Sequence, residues 1–156
     1  MKLRYAFLPI LAACAAAPAT GAVGTEAMPP IVRQAIDKES DACRPDKVTL
    51  DKGFMTRKDV NGDGVPDYVL NYGAFRCGES STLFCGSAGC QTQVFASVGG
   101  AFAKVFDSTV QEVAFKTVKG RPALLLGLHG SECGKRGADP CGSTLYWNGT
   151  KFGPAH

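Results

Sequence analysis

Histidine is scarce in this chain: two residues, His129 and His156, in 156. No two of its seven cysteines stand as C-x2-C. Together these gaps leave a zinc site without its usual ligand pairs. An excess of one charge is also missing. Lys and Arg total 17 against 14 Asp and Glu, and losing Lys2 and Arg4 with an N-terminal leader takes the bases from 17 to 15. A net charge of about +1 with no basic patch excludes binding to nucleic acid by phosphate neutralisation. The apolar stretch Tyr5 to Ala13 is too short to cross a bilayer as a permanent helix. No serine-nucleophile motif is present, so hydrolysis by an activated Ser has no sequence support.

What is present begins with an export signal. Met1-Lys2-Leu3-Arg4 is a basic start, Tyr5 to Ala13 is apolar and small residues follow. Thr20-Gly21-Ala22 reads as the end of a conventional signal over residues 1–22. Alternatively, Leu11-Ala12-Ala13-Cys14 reads as a lipobox, with Cys14 lipidated as the first mature residue. The expected location is periplasmic or secreted, or the outer membrane as a lipoprotein if Cys14 is used. Residues 23–30 read as a linker and 31–156 as one domain. Six cysteines remain after Cys14, an even number that in an exported chain implies disulfides.

The most informative stretch is Asp59-Val60-Asn61-Gly62-Asp63-Gly64-Val65-Pro66-Asp67. Calcium takes six to eight oxygen ligands. Asp59, Asn61 and Asp63 stand at alternate positions, Val65 offers its main-chain carbonyl and Asp67 a further carboxylate. Gly64 permits the sharp turn. An EF-hand needs a bidentate Glu at loop position twelve, and Leu70 stands there, so this is not an EF-hand. The expectation is one structural calcium ion. The competing reading is an Asx-rich turn that binds nothing, since Asn, Asp and Gly favour turns in any case.

Elsewhere, Ile31 to Cys43 has helical apolar spacing between Pro30 and Pro45. Strands are expected at Val48 to Leu50, Phe54 to Lys58, Tyr68 to Tyr72, Gln91 to Val98, Ala101 to Asp107, Val110 to Val118, Ala123 to Leu128 and Ser143 to Trp147. Ala123 to Leu128 is apolar on both faces and reads as a central strand. Turns are marked by Lys52-Gly53, Gly99-Gly100, Lys119 to Pro122 and Asn148-Gly149, the last a type I′ hairpin signal leading to Thr150-Lys151-Phe152. Two Gly- and Cys-rich excursions, 73–90 and 129–142, interrupt the strands.

The calcium loop resembles the nine-residue loops of FG-GAP/VCBS-type repeats and, more loosely, those of dockerins. In the former the loop runs directly into a strand, as Tyr68 to Tyr72 does here. The whole is also similar to small secreted proteins of Gram-negative bacteria, which implies no activity. The chain itself contains a repeat. Shifted by 56 residues, Gly64 and Pro66 fall on Gly120 and Pro122, Leu70 on Leu126, Cys77-Gly78 on Cys133-Gly134 and Cys85-Gly86-Ser87 on Cys141-Gly142-Ser143. The second copy has Phe115, Thr117, Lys119 and Ala123 in place of Asp59, Asn61, Asp63 and Asp67, so only one ion is expected. FG-GAP-type repeats usually build closed propellers of at least four blades. Two units cannot close one, so the expected fold is mainly β: an antiparallel sheet or small sandwich of two degenerate units, with one short N-terminal helix packed on it. The repeat favours Cys77–Cys85 and Cys133–Cys141, leaving Cys43–Cys90. A Cys85–Cys90 pairing is the rival and would break the symmetry.

The functional expectation is a non-enzymatic, calcium-stabilised exported module that binds a protein or glycan partner through its disulfide-clipped loops. The alternatives are an inhibitor of a periplasmic or foreign hydrolase, or an enzyme using His129 with Glu132. Tyr146 and Trp147 are candidate sugar platforms, although in a strand before a hairpin they also read as cross-strand pairs.

Overall fold

A computed structural model describes residues 27–80 and 83–155. The expected signal peptide, the lipidation candidate Cys14 and the first half of the linker lie outside the described residues.

The apolar spacing after Pro29 produces helix α1 (Pro30–Ala42), with Val32 fully buried. Proline at the first helical position costs no hydrogen bond, because that N–H has no partner within the helix. Strands β1 (Val48–Leu50) and β2 (Met55–Lys58) follow, then the acidic loop and β3 (Asp67–Asn71). Tyr72–Ala74 forms one 3-10 turn and leads into β4 (Phe75–Cys77). After β5 (Cys85–Gly86) come the long strands β6 (Gly89–Val98) and β7 (Ala101–Val110). The second half comprises β8 (Glu112–Val118), β9 (Arg121–Leu128), β10 (Cys141–Trp147) and β11 (Phe152–Gly153).

These strands form two main antiparallel sheets. In the first the order is β2-β3-β6, with β7 along the other edge of β6 and β5 also paired to β6. In the second the order is β8-β9-β10-β11. Each is a hairpin, an excursion and a second hairpin in the same spatial order, the topology that a duplicated unit requires. β9 is central, as its two apolar faces imply. The sheets face each other across a shared core: Val69, Val94, Ala96 and Val105 from the first meet Leu124, Leu126 and Phe152 from the second. On the other face of the first sheet, Tyr68, Leu70 and Phe95 meet Val32 of α1 together with Phe54, Tyr72 and Phe75. The β1–β4 ribbon completes this outer layer. The first sheet is thus covered on both faces. This is why successive residues 67–70 are all buried instead of alternating.

Several details differ from expectation. The disulfides are Cys43–Cys77, Cys85–Cys90 and Cys133–Cys141. Cys133–Cys141 agrees with the repeat; Cys77–Cys85 and Cys43–Cys90 do not form. The cause is the helix layer, which only the first unit carries. Pairing with β1 puts Cys77 opposite Val48, beside the end of α1 and Cys43, while Cys85 and Cys90 stand directly opposite in their own hairpin. The Asn148-Gly149 turn is not type I′. Trp147 pairs with Phe152, leaving a four-residue loop, and of the two residues only Gly149 has positive φ. Asn148 Oδ1 instead accepts from Thr150 N, Thr150 Oγ1 and Lys151 N. The turn expected over Lys119 to Pro122 narrows to Lys119-Gly120, with Arg121 and Pro122 already in β9. β7 extends to Val110, so β8 begins only at Glu112 and Gln111 makes the corner between sheets.

Candidate metal centre

The acidic loop joins β2 to β3 and folds on itself through its own side chains. Asp59 Oδ1 accepts from Gly62 N at 2.7 Å and its Oδ2 from Gly64 N at 2.9 Å. Asn61 Oδ1 accepts from Asp63 N at 3.1 Å, and Asp63 Oδ1 from Val65 N at 2.8 Å. Gly62 and Gly64 both have φ of +84°, where a side chain is strained. A Cβ on Gly62 would also stand 3.1 Å from Pro122 of the second sheet, so the loop packs on that sheet.

Asp67 differs from the other acids. It is 0 % exposed, and each oxygen takes one main-chain N–H: Oδ2 that of Val60 at 2.8 Å, Oδ1 that of Ser97 at 2.9 Å. Burial raises its pKa and outweighs those two bonds; the negative charges of Asp63 and Asp59 push the same way. Asp63 is shifted down, chiefly by the hydroxyl of Ser97.

Ser97 lies near the β6–β7 hairpin tip and touches three loop residues. Besides its N–H to Asp67, its hydroxyl donates to Asp63 Oδ2 and its carbonyl accepts from Asn61 Nδ2 at 2.8 Å. No local pattern marks this residue, because its partners are 30–36 positions upstream. It is the site residue that sequence reasoning missed.

The donor set suits a hard cation in kind. Asp59, Asn61 and Asp63 supply carboxylate and amide oxygens with lone pairs beyond those used by the loop. Val65 is exposed, and its main-chain carbonyl could offer a further oxygen. Among the described residues no Lys or Arg forms an ion pair with Asp59, Asp63 or Asp67, so no paired cation offsets their mutual repulsion. Nor do three acidic, His or Cys side chains converge as a cluster among the described residues. An ion here would therefore draw on amide and main-chain oxygens as well as carboxylates. Asp67, expected as a ligand, is held as a buried tie between the loop and the β6–β7 hairpin.

The other candidates resolve locally. His129 Nδ1 lies 2.7 Å from Ser131 Oγ, and the ring packs on Gly137, where a Cβ would come within 2.3 Å of Nε2. Glu132 meets His129 only through a main-chain hydrogen bond. Arg121 stacks over Tyr146 at 5.1 Å, and Trp147 packs on Phe152 at 5.1 Å. Gln111, at the corner between the sheets, donates from its side chain to Ser87 O of the first excursion and from its main chain to Gly127 O near the end of β9. Much of the first excursion is structural, since β4 and Phe84 pack in the outer layer. The second is exposed over 131–136 and closed by Cys133–Cys141.

Comparison with protein-family models, curated proteins and solved structures finds no match. The likeness to FG-GAP/VCBS-type loops therefore rests on residues 59–67.

Proposed function

We propose that this protein is an exported, non-enzymatic module, stabilised by one calcium ion at residues 59–67, that binds a protein or glycan through its clipped excursions. The observation that carries the reading is the division of the molecule into two ends. The acidic loop, the β6–β7 tip at Ser97 and the β8–β9 turn beside Pro122 gather at one end. The excursions leave β3 and β9 at the other, where Gln111 bonds Ser87 of the first and Gly127 near the end of β9. One end is tied by hydrogen bonds and suits an ion; the other presents loops held rigid by Cys85–Cys90 and Cys133–Cys141. Loops on a rigid β scaffold, with little ordering left to do, are suited to recognition. Three disulfides fit an oxidising compartment. Among the described residues no helix is long and apolar enough to cross a membrane.

The test is a glycan array and affinity capture from periplasmic extract, run with the oxidised mature protein and with a variant carrying Gly-Ser in place of 134–139. A ligand held by the parent and lost by the variant supports the reading. Equal binding by both counts against it. A captured hydrolase whose activity falls on binding would make the module an inhibitor.

A further inference from the structure

The sheets have free edges, and the edge at β8 is self-complementary. β8 ends the second sheet, with β9 on one side and, among the described residues, no strand on the other. Two open grooves of about 590 and 330 Å³ border it, the first reaching Glu112, Val113 and Phe115 and the second Phe115, Lys116 and Thr117. An uncovered edge strand is a template for another strand.

We propose that the occupant is β8 of a second copy, running antiparallel about a two-fold axis through Ala114. In that register Glu112 of each copy stands opposite Lys116 of the other, Val113 opposite Phe115 and Gln111 opposite Thr117. The pairing is isologous, so every favourable pair occurs twice. The faces agree as well. Val113 and Phe115 pack toward the core side, so Glu112, Ala114 and Lys116 lie on the opposite face, where the two Glu–Lys pairs form. Glu112 and Lys116 are exposed and have no ion pair among the described residues. The other long edges fit less well. β2 carries Arg57 and Lys58 side by side, and on β7 Lys104 already pairs with Asp107 in the same chain. The contact is one strand long, below the standard interface size, so the dimer belongs to the micromolar range.

The experiment is sedimentation equilibrium of the oxidised mature protein over a concentration series, with E112K, K116E, the double variant E112K/K116E and an equimolar mixture of the two singles. Both positions are exposed, and melting curves confirm that each variant folds. The wild type dimerises. Each single variant sets like charges opposite one another twice and weakens the dimer at least about tenfold. The double variant restores the wild-type affinity, and the mixture forms a heterodimer. A wild type that stays monomeric, single variants that dimerise as well as wild type, or a double variant no better than the singles would each overturn the proposal.

Discussion

Replacing Asp67 measures how much of the candidate centre is scaffold. Its carboxylate is fully buried and accepts from two main-chain N–H groups, those of Val60 and Ser97. Asp67→Ala removes both acceptors. Each stranded donor costs about 1–3 kcal/mol, and the small cavity adds to that, so the expected loss is about 4 kcal/mol. Asp67→Asn keeps the shape and one acceptor but turns an NH2 group toward the other N–H. It also removes a buried charge, which offsets part of the damage, so the expected loss is about 2 kcal/mol. Asp59→Asn is the control. Its bonds to Gly62 and Gly64 lie in the exposed part of the loop, and a loss below about 1 kcal/mol is expected. For a chain of this size 1 kcal/mol corresponds to about 4 °C, giving Tm drops of roughly 16, 8 and less than 4 °C. The assay is thermal and urea unfolding followed by circular dichroism, disulfides intact, in excess EDTA so that ion binding does not contribute. If Asp67→Ala loses less than about 1 kcal/mol, or no more than Asp59→Asn, the buried tie is refuted.

Three further outcomes are expected. Calcium at about a hundredfold over its Kd stabilises the wild type by about 2.7 kcal/mol, roughly 10 °C in Tm, and leaves Asp59→Ala/Asp63→Ala unmoved; no shift in the wild type reduces the loop to a turn. Asp107 supplies an acid-sensitive term. Burial works to raise its pKa, but bonds from Lys104, Gln91 and Gln93 outweigh it and hold the pKa below the ordinary value. The unfolded chain then binds the proton more readily, so this stability is present above a pH of about 4 and lost as pH falls through the folded pKa. Asp107→Asn is therefore less stable than wild type at neutral pH, and urea unfolding along a pH series shows the gap closing in acid. Finally, peptide mapping without reduction finds Cys43–Cys77. Removing that pair, with its separation of 34 residues, costs about 4 kcal/mol by loop entropy, against about 2.5 for Cys133–Cys141, separated by 8; urea unfolding of the two Ser variants ranks them.

The limits of the sequence reading follow from how far apart the interacting residues stand. Helix α1, strands β1 to β3 and β6 to β10, the Gly99-Gly100 turn and the central place of β9 are set by neighbours within a few positions and were legible, whereas β4 and β5 lie inside the stretch 73–90 read as an irregular excursion. The repeat was legible too, and its two units share one strand order. Cysteine pairing was not. Equivalent cysteines pair alike only in equivalent surroundings, and α1 with the β1–β4 ribbon gives the first unit a layer the second lacks. The structural role of Asp67 was hidden for a related reason. Its place in the D-x-N-x-D-G-x-x-D pattern marks a ligand, but its burial depends on the opposite sheet and the β6–β7 hairpin.

The same distance dependence explains Ser97. The residue equivalent to Asp63 in the second unit is Lys119, which sits in a two-residue turn with φ of 51°. The first unit opens that turn into a loop, which leaves three acids and an amide to be held in place. A hairpin ten residues long on each side reaches back to hold them, and only its tip residue touches Asn61, Asp63 and Asp67 together. Loop and hairpin are therefore one device: lengthening the turn without the reach of β6 and β7 would leave Asp67 buried with one N–H donor instead of two.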